Sequence, residues 1–433
     1  MKTILIDFLG CKVNSYEVEA VAKSFLDKGY VYYEKSESDP DVIIINTCAV
    51  TETSIVKDKK LIKRYRREYP TSILVVMGCF AQFKGNYILE ELGANIVIGT
   101  SHRDEIYDLV EEFKTNFRPI CLHDEHNDIK KYERLFLNEY KRNTRAYVKI
   151  QDGCNNFCSY CLIPYVRGRS RSRIASDIIE EIKTFVSNGY KEVVLTGIDM
   201  SSYGLDLIEK TTLSDLIEKI LIEVPSLYRL RISSIEESLI DDKFIYLLSK
   251  YENFANHLHM PLQSGSKRIV ELMNRKYNLE AFEEKINKIR NVRPDISITT
   301  DVIVGFPSET EEEFMETYNF CKHIKFSKIH VFPFSPREGT VAFKMKNQVP
   351  QDIKKRRTHE LLDLSSKLEK EYANLFDGKE IEFLLESLDE KTGAYLGHSS
   401  NYLVFGTKSD KSLTNEVVKL RYDSNLFDNV KME

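Results

Sequence analysis

The residues of this 433-residue chain best suited to chemistry are its eight cysteines, and six of them are placed in patterns. Cys154-Asn-Asn-Phe-Cys158-Ser-Tyr-Cys161 has a C-x3-C-x2-C spacing. Three thiolates so close can bind three irons of a [4Fe–4S] cube and leave the fourth iron open to a non-protein ligand. Cys11, Cys48 and Cys79 share a different setting. Each follows an apolar, strand-like segment: Asp7-Phe8-Leu9-Gly10, Ile43-Ile44-Ile45-Asn46-Thr47 and Val75-Val76-Met77-Gly78. Strand C-termini of a parallel sheet lie along one edge, where ligands bind. Topology would therefore deliver three distant thiols to one rim, with Gly10 and Gly78 easing the turn before the ligand. Metal or cluster ligation is the chemistry this predicts. Zinc stays open, although structural zinc usually takes four ligands with paired spacing. Cys121 and Cys321 stand alone and read as non-ligands.

The elements that must position these thiols follow from periodicity. Apolar runs at 3–8, 41–46, 73–77 and 95–98 alternate with amphipathic stretches at 15–28, 54–68, 81–92 and 103–114. Such alternation predicts an open parallel α/β domain over residues 1–118. Residues 119–143 are polar and read as a linker. Six further strand signals, at 146–150, 192–196, 229–233, 258–261, 296–304 and 328–332, are separated by helical segments. They predict a (β/α)6 partial barrel over 144–376, closed by a long charged helix. Four short strand signals joined by polar turns predict a small β-barrel over 377–433. The fold class is thus α/β, with one all-β segment at the end.

Composition narrows the setting. Eight cysteines are too few for a disulfide scaffold, and no apolar run approaches the roughly 20 residues of a membrane helix. No signal peptide is visible, so the expected location is cytoplasmic, with no membrane partner. The net charge of −5 gives no global pull on a polyanion. Locally, Lys141, Arg142, Arg145, Lys149, Arg167, Arg169, Arg171 and Arg173 face a single acid, Asp152, within 141–173. Arginine forks suit phosphate oxygens, so this stretch reads as a polyanion patch beside the second cysteine trio.

The C-x3-C-x2-C run with an aromatic before its last cysteine resembles the radical S-adenosylmethionine (SAM) superfamily. With the N-terminal trio and the C-terminal β segment, the whole chain resembles a methylthiotransferase. Its landmarks are Gly10-Cys-Lys-Val-Asn14, Asn46-Thr-Cys-Ala-Val-Thr51, Gly78-Cys79, Gln151-Asp-Gly-Cys154, Ile163-Pro-Tyr-Val-Arg-Gly168, Leu258-His-Met-Pro-Leu-Gln-Ser-Gly-Ser266, Met273-Asn-Arg-Lys-Tyr277 and Thr300-Asp-Val-Ile-Val-Gly-Phe-Pro307. Lys12 and Val13 are similar to the branch acting on N6-threonylcarbamoyladenosine at tRNA position 37. The alternatives are the branches acting on N6-isopentenyladenosine-37 or on a ribosomal-protein aspartate. Glu237 is a departure, since the family usually has Pro there.

The resemblance implies two [4Fe–4S] clusters, one on Cys154, Cys158 and Cys161 and one on Cys11, Cys48 and Cys79, with no catalytic residue beyond these ligands. It implies SAM on the open iron of the first, lined by Tyr160, Thr196, Gly197, Ser233, Ser234, Gln263 and Gly305. It also implies a sulfur source, an electron donor such as a flavodoxin or ferredoxin, and a tRNA anticodon stem-loop as substrate. Arg167, Arg169, Arg171 and Arg173 would meet that RNA. The last segment resembles the TRAM domain, with Tyr402 and Phe405 offered to bases. Since both trios follow strand ends, the two α/β segments must face each other across one cavity.

Overall fold

The computed structural model describes residues 2–35, 38–129, 131–141 and 144–425. Its N-terminal part is a parallel six-stranded sheet of β1 (Thr3–Phe8), β2 (Val31–Tyr32), β3 (Val42–Thr47), β4 (Ile73–Gly78), β5 (Ile96–Ile98) and β6 (Ile120–Leu122), in the order β2-β1-β3-β4-β5-β6. Helices α1 (Lys12–Leu26), α2 (Glu52–Glu68), α3 (Cys79–Leu92) and α4 (Ile106–Asn116) cover both faces. β3 is buried at every position, as its unbroken Val-Ile-Ile-Ile run requires of a central strand covered on both sides. α1 and α4 pack on one face through Val21, Phe25, Ile106 and Val110. α2 and α3 pack on the other through Ile55, Ile62, Ile88 and Leu92. The connection leaving β1 runs to β2 on one side and the connection leaving β3 runs to β4 on the other, which makes the β1/β3 edge a topological switch point.

The stretch expected to be a linker does more than link. Ile120–Leu122 is the sixth strand, paired parallel with β5, and Leu135, Leu137 and Tyr140 enter the core of the next segment. Three apolar residues in a polar stretch are too few to announce a strand by periodicity.

The central part begins with β7 (Arg145–Lys149), then β8 (Gln151–Asp152), the short α5 (Ile163–Val166) and β9 (Arg171–Ser172), with β8 and β9 paired antiparallel. It continues through α6 (Ala175–Ser187), β10 (Glu192–Thr196), α7 (Leu213–Glu223), β11 (Arg229–Ile232), α8 (Asp242–Lys250) and β12 (His257–His259). α9 (Lys267–Leu272), α10 (Leu279–Val292), β13 (Ser297–Val304), α11 (Glu311–Ile324), β14 (Lys328–Pro333) and α12 (Gln351–Asn374) complete it. Two parallel three-stranded sheets form, β11-β10-β7 and β12-β13-β14. Amides at their junction join them: Ala255 N–H donates to Leu230 O (2.8 Å) and Ile235 N–H to His259 O (2.9 Å). The result is the expected six-stranded partial barrel. Ile298, Val302 and Val304 of β13 turn toward the helices. The alternate residues, Thr299 and Asp301, therefore face the lumen. Capping boxes at Thr212/Asp215 and Thr310/Glu313 start α7 and α11.

The C-terminal part is a curled antiparallel sheet of β15 (Glu380–Asp389), β16 (Ala394–Ser399), β17 (Val404–Thr407) and β18 (Val417–Arg421), in the order β17-β16-β15-β18. Phe383, Leu385, Phe405 and Tyr422 form its core with Ala373 and Phe376 from the end of α12. No helix among the described residues is long and apolar enough to cross a membrane.

Candidate active site

The N-terminal trio lies at the C-terminal edge of three adjacent strands. Cys11 precedes α1, Cys48 follows β3, and Cys79 opens α3 directly after β4. Gly78 has φ +100°, and a Cβ there would stand 2.2 Å from Asn46 Oδ1 and 2.7 Å from Thr47 O. Only glycine lets β4 turn into α3 at this point. Cys48 and Cys79 are buried and Cys11 is exposed at the edge. Burial raises the Cys48 thiol and pushes Cys79 up to about 12, against the pull of the Arg167 guanidinium. Val50 N–H lies 3.4 Å from Cys48 Sγ, and Arg167 Nε donates to Cys79 Sγ at 3.2 Å.

The second trio lies past the hairpin strand β8, at the C-terminal rim of the barrel. Asn156 N–H lies 3.4 Å from Cys154 Sγ, and Arg275 Nη1 lies 3.8 Å from Cys158 Sγ. Arg275 is itself held by Glu236 in a close ion pair. Asp199 approaches Cys154 Sγ (3.5 Å) and is fixed by Ser202 (2.9 Å). Burial pushes Cys161 up to about 12 and raises Cys154 further.

The residues expected to line SAM are not equally placed. Gly197, Ser233, Ser234 and Gln263 are partly open, at or just past the ends of β10, β11 and β12. Gln263 has φ +63° and is locked to β13 by Gln263 N–H to Asp301 O and Ile303 N–H to Gln263 O, each 2.8 Å. Tyr160 packs on the Met273, Phe306 and Phe334 cluster. Thr196 is buried. Gly305 turns away from the lumen: its N–H is taken by Glu309 (2.7 Å), and a Cβ there would meet Lys354.

The two trios share one interface. Leu162 and Val166, which follow Cys161, pack in one apolar cluster with Ala49, Cys79 and Phe80. Thr100 Oγ1 donates to Val166 O (2.5 Å), and Arg337 of the barrel reaches Ala49 O and Glu52 (3.1 Å). The required juxtaposition of the two α/β segments is present. Among the described residues no group of three His, Cys, Asp or Glu gathers around a point that a single ion would fill. The donor sets suit iron–sulfur ligation: all-thiol, with burial raising Cys48, Cys79, Cys154 and Cys161, and supplied with N–H donors to sulfur.

Comparison with known proteins fits this architecture. Residues 148–321 match the Radical SAM superfamily, and residues 3–99 match the Uncharacterized protein family UPF0004. A Bacillus subtilis protein named threonylcarbamoyladenosine tRNA methylthiotransferase MtaB is 40% identical over 97% of this chain and 94% of its own length. A tRNA-2-methylthio-N(6)-dimethylallyladenosine synthase of Acetivibrio thermocellus is 33% identical over 98% and 89%. This chain belongs to the radical SAM methylthiotransferases. Among solved structures, the radical SAM methyltransferase TsrM of Kitasatospora setae superposes with TM-score 0.57 at 13% identity, over 77% of this chain and 72% of that one. That likeness concerns the fold.

In this methylthiotransferase the basic stretch after the second cysteine trio is turned mostly inward, which corrects the expectation for three of the four arginines expected to meet RNA. Arg167, Arg171 and Arg173 are buried, and only Arg169 is exposed. Arg167 pairs with Glu17 (2.8 Å) and Asp152 (3.0 Å), and Lys149 reaches the same two carboxylates at 2.6 Å each. Arg103 adds pairs with Glu17 (2.6 Å) and Glu133 (2.5 Å), and Arg171 lies 3.4 Å from Asp152. Arg173 is closed on Glu181. Against the cost of burial, these cations hold the Glu17 and Asp152 carboxyls well below the usual range. The Arg fork that suits phosphate suits buried carboxylate equally, and here carboxylates take it. Tyr402 and Phe405 are also interior. Tyr402 stacks on His257 and lies tilted against His398, with ring centroids 4.6 and 4.5 Å away, and Phe405 lies in the core of the C-terminal sheet.

Asp199, Glu236 and Arg275 went unnoticed in the sequence as site residues. Arg275 lies within the landmark Met273-Asn-Arg-Lys-Tyr277, and a basic residue in a matched loop was the available signal.

Proposed function

We propose that this methylthiotransferase acts on tRNA, converting N6-threonylcarbamoyladenosine at position 37 to its 2-methylthio derivative. The observation that carries this reading is the B. subtilis relative of that name, which aligns end to end at higher identity than the dimethylallyladenosine synthase above. That second relative favours isopentenyladenosine as the alternative substrate.

Cys154, Cys158 and Cys161 would hold the [4Fe–4S] cluster whose open iron takes SAM, with Tyr160, Gly197, Ser233, Ser234 and Gln263 around it. Cys11, Cys48 and Cys79 would hold a second cluster that carries sulfur. Bound there, cluster and SAM supply a carbon radical able to take hydrogen from adenine C2, a position without acidity for a base to exploit. The chain's own part is placement and exclusion of water. Arg275, fixed by Glu236, holds the loop of Cys158 against the barrel. Arg167 ties Cys79 to the segment after Cys161. Residues 1–118 would serve as the sulfur-carrying segment, 144–376 as the SAM segment and 377–433 as a TRAM-like RNA segment. Arg169, exposed beside Phe157 (4.6 Å to the ring), is the one of the four expected arginines left open to RNA phosphate. A flavodoxin or ferredoxin would supply electrons in the cytoplasm.

The test is anaerobic reconstitution with iron and sulfide, followed by SAM, reductant and anticodon stem-loop RNA, with nucleoside mass spectrometry. The 2-methylthio derivative on threonylcarbamoyl RNA, with 5′-deoxyadenosine, is expected. Product on isopentenyl RNA alone would overturn the substrate.

A further inference from the structure

Arg167, Arg171 and Arg173 are closed on buried carboxylates, so an RNA that reaches the cysteine edges meets most of its counter-charge elsewhere. Helix α2 is the element that offers it. Glu52–Glu68 holds seven lysines and arginines against three acids, and one of those acids, Asp58, is buried. Among the described residues, no other helix carries an excess of lysine and arginine over acid greater than one.

The order of the residues puts this charge on one side. Ile55, Asp58, Ile62 and Tyr65 are buried against the sheet. At about 100° per residue, Lys57, Lys60, Lys63, Arg64 and Arg67 fall within one arc of about 120° on the opposite side. All five are exposed. Arg64 leans toward Asp7 (3.8 Å) and Glu68 (3.9 Å). Among the described residues, no carboxylate lies within ion-pair distance of Lys57, Lys60, Lys63 or Arg67. From Lys57 to Arg67 the face runs for about 15 Å with at least one cation per turn.

The start of α2 is fastened to the site. Thr51 caps it three residues after Cys48, and the Asp58 carboxylate accepts the Cys48 N–H (2.9 Å). Arg337 of the barrel holds Glu52 (3.1 Å). From there α2 runs back along the outside of the N-terminal sheet toward the start of β4.

We propose that the outer face of α2 is a docking surface for the phosphate backbone of the stem that carries the substrate base. The inference rests on the tRNA reading above and goes beyond it. A base held between the two cysteine edges stays joined to a paired stem, and that stem lies along a surface beside the rim. Unpaired cations on a rigid helix that starts at the rim meet this requirement, because phosphate contacts position a nucleic acid without reading its sequence. An acidic electron donor is the weaker occupant. It would need to approach Cys154, Cys158 and Cys161 on the barrel, whereas this face runs outward from Cys48.

The experiment is equilibrium binding of the anaerobically reconstituted holoprotein to anticodon stem-loop RNA over a range of salt concentrations. The RNA carries threonylcarbamoyladenosine, isopentenyladenosine or plain adenosine at position 37. In Lys57→Gln/Lys60→Gln/Arg67→Gln the slope of log affinity against log salt is expected to be shallower by about two. Binding at about 0.1 M salt should weaken by about a hundredfold. The loss should be equal for the three RNAs, since phosphate carries no base information. Lys57→Arg/Lys60→Arg/Arg67→Lys should keep the wild-type slope. In the wild type, the RNA should protect Lys57, Lys60 and Lys63 from chemical acetylation, as read by mass spectrometry. Unprotected lysines, or a wild-type slope in the glutamine variant, would leave α2 a solvated face or a protein contact and overturn the inference. So would a loss confined to one RNA, or an equal loss in the variant that keeps the charge. A wild type that binds none of the three RNAs overturns the tRNA reading, and this inference with it.

Discussion

Arg167 and Arg169 stand two positions apart and meet opposite environments. Arg167 is fully buried between Glu17 and Asp152 and donates to Cys79, while Arg169 is exposed. Removing one partner from a buried ion network leaves the others uncompensated, a loss of about 3–5 kcal/mol. Arg167→Ala is therefore expected to lower urea stability of the anaerobic holoprotein by about that amount. Arg169→Ala should change stability by less than about 0.5 kcal/mol. It should instead reduce the slope of log affinity against log salt for stem-loop RNA by about one. An unchanged slope would remove Arg169 from the RNA surface. The reason sequence misled here is specific. Within that window eight cations face Asp152 alone, but Glu17, Glu133 and Glu181 arrive from outside it. Counting charge along the chain cannot see a counter-charge folded in from elsewhere.

At the scale of elements, the positions of the cysteines were legible and their surroundings were not. Strand-then-cysteine recurs in the sequence at Cys11, Cys48 and Cys79, and β1, β3 and β4 fall where the apolar runs predicted them, within a residue. The turn after β4 gives a direct check. Gly78→Ala puts a Cβ against Asn46 Oδ1 and the Thr47 carbonyl at positive φ. It is expected to cost the anaerobically reconstituted protein about half its iron, because only the second trio keeps its geometry. Full iron in the variant would mean that β4 does not position a cluster ligand.

The seat of the C-terminal sheet was not legible, because it is built from single residues on β7, β11 and β12. Arg229 and Arg231 donate to the carbonyls of His398, Ser399 and Ser400 (3.1–3.2 Å), and Tyr402 stacks on His257. Burial and the neighbouring Arg231 depress His257 well below its usual value, and burial also lowers His398. Below about pH 6.5 an unfolded histidine takes a proton that the folded one refuses, so the unfolded chain binds more protons. Stability supplied by these two neutral rings is present above pH 6.5 and is lost as pH falls further. His257→Gln should flatten that slope between about pH 6.5 and 5, as read by thermal melts across pH. A variant with the wild-type slope would assign the acid sensitivity to other groups.

At the scale of the molecule, the methylthiotransferase works only if two α/β bodies hold their cysteine edges together. The apolar cluster of Ala49, Cys79, Phe80, Leu162 and Val166 supplies area but little register, since apolar contact is not directional. Register comes from directional contacts: Thr100 to Val166 O, Arg337 to Ala49 O, and the network centred on Glu17. Glu17 leaves α1 of the N-terminal sheet and is reached by Lys149 of β7 and Arg167 of the loop after α5, with Arg103 alongside. One carboxylate thus joins cations of both bodies. Glu17→Gln keeps the shape but removes the charge, leaving Arg103, Lys149 and Arg167 to Asp152 and Glu133. The expected outcome is that a single cooperative unfolding transition splits in two, with the N-terminal body melting first. Calorimetry on the reconstituted protein checks this. Retention of one transition at the wild-type temperature would show that the apolar seam and the remaining polar contacts set the register of the two cysteine edges without Glu17.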